Sequence, residues 1–319
     1  MMSPRSQKPR WLLSFFLLLA CTIIGCEGHR FRVTPFQRSP TEQKAFLGGR
    51  SSTKAVLGLR GGDAQVSKEF LSDGFLGMFF SVNRLATGVV FTFLTGLGMK
   101  LFHEYEVETP SSPANKLIRF AGISMVQDGI LSMLAMKKGI EGSALNQALG
   151  ISLVPLAALL LVQEARDTTK SSGHRQKTLL IGSVLGACAV SLISGSGLPA
   201  NVAAITPILL VGVFDALCLF FPETMITQVE AASNPSDHQF RFMIRAIATH
   251  SLVWLSIFTA LWNGQDMYKA FGYGTLAVFV IGSIVCLVIP DMRKSGAPTG
   301  PMIPFQAINA YISYRFLKP

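Results

Sequence analysis

Four polar side chains lie inside long apolar stretches of this sequence, where an ionisable group is costly. They are Gln127, Asp128, Asp215 and His250. A charge at the centre of a bilayer costs at least about 2.5 kcal/mol, so charged residues in such stretches are candidates for a functional role. Two carboxylates and an imidazole could pass protons or hold a cation. We therefore take these four residues as a candidate intramembrane polar site.

The same residues also have a structural interpretation, which the sequence leaves open. Polar side chains in membrane proteins form hydrogen bonds between helices, typically worth about 0.6 kcal/mol each. Ser124, Asp128 and Ser132 are spaced four residues apart, which places them on one face of a helix. Turning that face to lipid would be unfavourable, so we expect it to point into the protein.

Two further pairs of charges lie near the ends of apolar stretches. Glu104 is predicted to pair with Arg119, and Glu223 with Arg245. Charge is cheap near the membrane surface, so these pairs are predicted to be structural clamps between adjacent helices.

The composition indicates the elements that must hold these side chains. Half of the 319 residues are hydrophobic and only 14% are charged, whereas a soluble domain usually has about 25% charged residues. Seven apolar runs have the length of about twenty residues that a bilayer requires, and they predict an all-α, polytopic transmembrane helical bundle. The runs are 85–102, 117–136, 144–162, 179–198, 202–221, 243–262 and 271–290. The stretch 302–316 is too short and too polar to be predicted as a span and could lie on the surface.

The N-terminal region has the features of a targeting sequence. A basic start, the apolar run from Trp11 to Ile24 and small residues before His29 predict a signal peptide over 1–28. The basic segment 29–73 has the composition of a transit peptide, or of a disordered tail. Together they resemble the bipartite presequence of algae with secondary plastids. The sequence predicts a membrane location reached by the secretory pathway, with a plastid membrane as the alternative.

The net charge of +10 comes from residues between the apolar runs, so it predicts topology and not nucleic-acid binding. Thirteen Lys or Arg, including Arg315 and Lys318, fall on the side opposite the N-terminus, against three on the N-terminal side. Positive loops stay in the cytosol. Seven spans would then place the C-terminal tail in the cytosol.

The chain divides into a first membrane half, 74–198, and a second, 199–319, with a similar layout. Leu101-Phe-His-Glu104 precedes Ile118-Arg119, and Leu219-Phe-Phe-Pro-Glu223 precedes Ile244-Arg245. This layout predicts a parallel duplication. It resembles small four-helix integral-membrane domains of bacteria that lack an assigned function. The resemblance implies a compact helical bundle and carries no reaction.

The sequence carries none of the common catalytic, phosphate-binding or metal-binding signatures, so we predict neither an enzyme nor a cofactor. Small residues repeat every four positions in 179–198, which favours close helix packing and could join two copies of the chain. We expect a carrier or channel for a small solute or ion, such as a proton. The alternative is a membrane scaffold or assembly factor that transports nothing.

Overall fold

The computed structural model describes residues 73–97, 113–138, 142–164, 172–229, 237–295, 300 and 302–318. These residues form helices and no strands, which confirms the all-α prediction. Seven helices are long and apolar enough to cross a membrane, so the protein is a multi-pass membrane protein. The predicted signal peptide, the basic segment up to residue 72 and Glu104 lie outside the described residues.

We number the helices in chain order and give their bounds here. Two of them continue into π-helical turns: α3 through Leu159–Glu164, and α8 through Val278–Gly282 and Ile284–Val288. The helices are α1 Asp73–Phe93, α2 Pro113–Lys138, α3 Gly142–Ala158, α4 Ser172–Ser194, α5 Ala200–Phe220, α6 Pro222–Val229, α7 His238–Trp262, α8 Met267–Ala277, α9 Asp291–Lys294 and α10 Met302–Leu317. The spans are α1, α2, α3, α4, α5, α7 and α8.

The first span does not lie where the sequence predicted it. The prediction began the span at Leu85 because Arg84 interrupts the apolar run, whereas α1 begins at Asp73 and carries Arg84 at its middle. Arg84 is buried and paired with a carboxylate from α2, so its charge does not end the span. The sequence of one apolar run cannot show that a residue on another helix pairs with Arg84.

Glycines bring α1 and α2 into direct backbone contact. A methyl group added at Gly88 would lie 2.7 Å from the carbonyl oxygen of Gly122, and one added at Gly129 would lie 2.8 Å from the backbone nitrogen of Leu85. Such distances leave no room for any larger side chain. Small residues that let helices approach this closely are typical of helix pairs in membranes.

The bundle has two ends, which we name by the residues found there. At the Asp73 end α1 begins, α2 finishes and α8 begins, since Gly77 of α1 faces both Met136 and Phe271. At the Asp291 end α7 begins and α8 finishes, where Asp291 binds side chains of α7. The alternating helices therefore run antiparallel through one bundle.

The central helix of the bundle is α7, which packs against α2, α5 and α8. Trp254 of α7 is fully buried, and its indole nitrogen donates a hydrogen bond of 3.0 Å to the hydroxyl of Ser152 on α3. Because that indole is satisfied, a large aromatic side chain can fill the core without leaving a buried polar group unpaired.

The predicted packing helix α4 uses only part of its small-residue face inside the chain. Gly150 of α3 packs on the backbone of Ala189, while Ser183 and Ala187 are exposed, between the exposed Leu180 and Val190. Apolar side chains on this outer face suit contact with lipid. Association of two chains through 179–198 stays a prediction.

Candidate functional site

Arg84 joins two of the predicted site residues in the interior of the bundle. Its Nε donates to Oδ2 of Asp128 over 2.8 Å, and its Nη2 donates to the same oxygen. Its Nη1 lies 3.0 Å from Nδ1 of His250, and Nη2 also lies 3.4 Å from the His250 carbonyl oxygen. We call Arg84, Asp128 and His250 the polar centre.

The polar centre lies midway along three different spans. Arg84 is near the middle of α1, Asp128 of α2 and His250 of α7. The Asp128 side chain is fully buried and the Arg84 side chain is 8% exposed. Each residue therefore sits about half a membrane thickness from either surface, where a charge needs a partner.

The contact with Arg84 limits how His250 can use Nδ1. A guanidinium has five N–H donors and no acceptor, so Nδ1 of His250 can take part in this hydrogen bond only as the acceptor. An imidazole that accepts through Nδ1 carries a proton on Nε2. A further proton on Nδ1 would replace this hydrogen bond with repulsion between two cations.

Three buried polar atoms on α2 lie at or near Asp128 in the sequence. Oδ1 of Asp128, Nε2 of Gln127 and Oγ of Ser132 have no hydrogen-bond partner among the described residues. Ser124, on the same predicted face, is also buried and donates to the carbonyl oxygen of Phe120 within its own helix, over 3.1 Å. The inward face of α2 thus keeps capacity for further polar contacts.

Asp215 does not belong to the hydrogen bonds of the polar centre. It is buried on α5, and its carboxylate lies beside the Ser251 side chain of α7. Neither carboxylate oxygen has a partner at hydrogen-bond geometry among the described residues. Ser251 follows His250 in sequence but points to a different side of α7. The structure thus brings together Asp128 and His250, and places Asp215 in a neighbouring polar position.

The predicted pair of Glu223 and Arg245 needs correction. Glu223 pairs with Arg241, with 3.2 Å between Oε1 and Nε, and Arg245 binds Asp291 instead. Arg241 lies one turn nearer the start of α7, and the chain after Pro290 turns Asp291 back over that helix. Arg119 lies on α2 as expected, while its predicted partner is not among the described residues.

Asp291 is the organising residue of a second charged group that sequence reasoning missed. Its side chain is 5% exposed; Oδ2 accepts from Arg245, and Oδ1 lies 2.7 Å from Nδ1 of His238. Arg245 also donates to the carbonyl oxygen of Leu219, over 3.1 Å. This Asp291 cluster ties the end of α5 and the start of α7 to the end of α8. The signal available in the sequence was an Asp directly after the Pro that ends an apolar run.

Within the described residues, no group of three or more His, Cys, Asp or Glu side chains is arranged to hold a metal ion. The polar centre instead has one guanidinium, one carboxyl group and one imidazole. Such a set can exchange a proton or bind a small polar solute through a displaced guanidinium.

The fold and the polar centre define the chain as a multi-pass helical membrane protein with a buried ion pair. Comparison with protein-family models, with curated proteins and with solved structures gave no match to this chain. Its similarity to small four-helix membrane domains stays a hypothesis that rests on the sequence layout.

Proposed function

We propose that the protein is a carrier for a small solute or ion and that the polar centre is its proton-coupled binding position. The observation that supports this proposal is the buried guanidinium of Arg84, held between Asp128 and His250 midway along three spans. Ionisable residues inside transmembrane bundles are characteristic of proton relays and solute pathways.

The hydrogen bonds suggest how a proton would control the site. Protonation of Asp128 removes the charge that holds Arg84, and protonation of His250 repels it. Either event releases the guanidinium from α2 or α7 while it remains inside the bundle. A released guanidinium forms charge-assisted hydrogen bonds with an anionic or carboxylate solute. Proton binding and solute binding are thereby linked through one side chain.

The unpaired atoms on α2 support a polar solute at the same position. Within the part of the chain that the structure describes, the buried acceptor Asp128 Oδ1, the buried hydroxyl Ser132 Oγ and the buried donor Gln127 Nε2 have no hydrogen-bond partner. Buried polar groups in proteins are normally satisfied by protein or water. A water or a small solute beside α2 would satisfy these atoms. The proposal assigns no catalysed reaction and no cofactor to the chain.

One observation favours the alternative, a membrane scaffold or assembly factor. Gly88, Gly122 and Gly129 lock α1 and α2 together beside the ion pair, as expected for a permanent clamp. In a scaffold the ion pair would only fix these helices, and binding of other proteins would be the function. The carrier and the scaffold differ in the result expected when the charges of Arg84 and Asp128 are both removed.

The test compares wild-type protein with the double variant Arg84→Gln/Asp128→Asn in proteoliposomes. Currents on solid-supported membranes are recorded after jumps of pH, inorganic phosphate, amino acids and small carboxylates. The matched control is Arg245→Gln/Asp291→Asn, which removes another ion pair of the same chemistry at the end of the bundle. We expect the first double variant to incorporate normally and to lose the wild-type current, while the control retains it.

Two results would contradict the proposal. Equal currents from wild type and from the Arg84/Asp128 double variant would show that the ion pair plays no part in transport. No current from the wild-type protein with any probe, together with changed abundance of the double variant, would favour the scaffold.

A further inference from the structure

The last helix, α10, runs antiparallel to α8 along its whole length. At the Asp291 end, Met302 packs against the cluster that contains Val285 and Met292. In the middle, the Gln306 amide covers Gly282. At the Asp73 end, the rings of Phe316 and Phe271 stack with centroids 6.0 Å apart. The helix therefore connects the two ends of the bundle.

An ion pair places the end of α10 beside the start of α1. Nη2 of Arg315 lies 3.0 Å from Oδ1 of Asp73. Leu317 also covers Gly272, near the start of α8. The C-terminal end of α10 thus lies at the end of the bundle where the first span begins.

The two faces of α10 have the reverse polarity of a helix lying on a water-exposed surface. Gln306, Asn309 and Ser313 are buried against the bundle. The outward face is mainly apolar or aromatic, with Ile303 61% and Tyr314 62% exposed. A helix facing water shows its polar residues outwards. An outward face of this composition suits contact with lipid. The outward face comprises Ile303, Phe305, Ile308, Tyr311 and Tyr314.

Aromatic and basic residues mark where α10 meets the membrane surface. Tyr314 is exposed next to Arg315, and the Lys318 amine lies 5.8 Å from the centre of the Tyr314 ring. Tyr268 and Tyr273 are exposed near the start of α8, at the same end of the bundle. Tyrosine belts with adjacent Lys or Arg are typical of the bilayer interface.

From these contacts we propose that α10 is an eighth membrane-crossing helix, so that the C-terminus lies on the same side of the membrane as the start of α1. Its sixteen residues correspond to about 24 Å at 1.5 Å per residue. The bilayer core is about 30 Å thick, and local thinning accommodates such a mismatch at modest cost. The sequence missed this span because its polar residues face the protein.

The proposal reverses the predicted location of the C-terminus but keeps the orientation of the bundle. Moving Arg315 and Lys318 to the Asp73 side leaves eleven basic residues on the opposite side against five. The positive-inside rule still places the Asp291 end in the cytosol. The C-terminus is then on the lumenal or outer side, together with the start of α1.

The test uses three single-cysteine substitutions at exposed positions: Ser196→Cys between α4 and α5, Lys294→Cys before α10, and Lys318→Cys after it. Native Cys188, Cys218 and Cys286 are buried. They give the background together with Cys21 and Cys26, which lie in the predicted signal peptide. Sealed, uniformly oriented vesicles are treated with a membrane-impermeant maleimide before and after permeabilisation. Each reaction is compared with that of the parent chain.

We expect Lys318→Cys and Ser196→Cys to be labelled from the same side of the membrane, and Lys294→Cys to be labelled from the other side. Labelling of Lys318→Cys together with Lys294→Cys would overturn the eighth crossing. The comparison does not depend on which side is cytosolic, because it asks only whether the two lysine positions lie on one side. Since all three positions are exposed, none of the substitutions should disturb folding.

Chemical cross-linking provides a second readout. The variant Asp73→Cys/Arg315→Cys should be joined by a short bifunctional maleimide, because the native side chains reach each other and the reagent spans the length that the two shorter cysteines leave. The variant Asp73→Cys/Lys294→Cys is the matched control and should not cross-link. Cross-linking of the control in preference to the first variant would also overturn the proposal. Neither readout requires transport activity, so failure here is distinct from failure of the proposed function.

Discussion

The guanidinium of Arg84 connects three helices through its side chain alone. Both nitrogens that face α2 donate to a single oxygen of Asp128, and the remaining nitrogen reaches His250 on α7. A buried ion pair contributes little net stability, because desolvation offsets its attraction. The main effect of the Arg84–Asp128 pair on the fold is therefore to orient the helices. It sets which faces of α1, α2 and α7 turn inwards.

Removing one charge of the pair should lower the unfolding temperature more than removing both. Arg84→Gln or Asp128→Asn leaves the other group buried and unpaired, which typically costs about 3 to 5 kcal/mol. The double variant leaves no uncompensated charge, so we expect it to unfold at a higher temperature than either single variant. Unfolding in detergent is followed with a dye that reacts with the buried thiols of Cys188, Cys218 and Cys286 as they become exposed.

An exposed pair provides the control for this comparison. The amine of Lys269 lies 3.9 Å from the carboxylate of Asp266, and both side chains are 55% exposed. Exposed ion pairs contribute at most about 1 kcal/mol, so Lys269→Gln should hardly change the unfolding temperature. A double variant at Arg84 and Asp128 that is no more stable than the single variants would show that the two charges act independently.

Sequence reasoning selected Asp128 and His250 from burial cost alone, and could not select Arg84. A carboxylate inside an apolar run has no other explanation than function or pairing. An Arg at the edge of a predicted run is equally well explained as the residue that ends the run. Only the contact between α1 and α2 distinguishes an Arg that ends a span from an Arg that is paired inside one. Such a contact is a property of the folded chain.

The pair α1 and α2 is held by close backbone contact rather than by large side chains. A methyl group added at Gly122 would lie 2.7 Å from the backbone nitrogen of Thr92 and 2.8 Å from Cβ of Phe91. The helices would have to separate to accept it. Separation would also lengthen the hydrogen bonds between Arg84 and Asp128, so the glycines and the ion pair support each other.

Gly122→Ala should therefore destabilise the protein, while Gly186→Ala should not. Overpacking typically costs about 1 to 3 kcal/mol, which exceeds the gain in helix propensity of up to about 1 kcal/mol. A methyl group at Gly186 of α4 meets nothing within 4 Å, so only the propensity gain remains. The unfolding temperatures of the two variants check this, and equal values would contradict the close contact.

The apolar runs predicted the number of long spans, because length and hydropathy depend on the local sequence only. Length and hydropathy could not predict the ends of α1 or the role of α10, and the physical reason is the same for both. Residues such as Arg84, Gln306 and Asn309 lower the apolarity of their segments, yet the structure buries them inside the protein. A hydropathy pattern cannot distinguish a polar residue facing a neighbouring helix from one facing water.

The chain as a whole has a layout compatible with two related halves. An eighth crossing would give each half four crossings: α1 to α4 in the first, and α5, α7, α8 and α10 in the second. That number matches the four-helix domains that the sequence resembles, and it supplies the fourth helix that the sequence lacked. The duplication itself stays a hypothesis, since residue identity between the halves is sparse.

The mature protein is expected to begin at or after His29. The apolar run up to Ile24 is followed by small residues suited to signal peptidase. N-terminal sequencing of protein purified from its native membrane measures this directly. A start near Gly62 would favour the plastid route, whereas retention of the segment from Trp11 to Ile24 would show that this segment is an uncleaved helix.

The contacts of α1 also impose an order on biosynthesis. Arg84 and Asp128 are 44 residues apart in the chain, whereas Arg84 and His250 are 166 apart. The helices α1 and α2 can therefore enter the membrane with Arg84 and Asp128 paired long before α7 has been translated, which spares the insertion machinery an unpaired charge at mid-membrane. Arg315 and Asp73 are 242 residues apart, so of these three contacts theirs becomes possible last during synthesis.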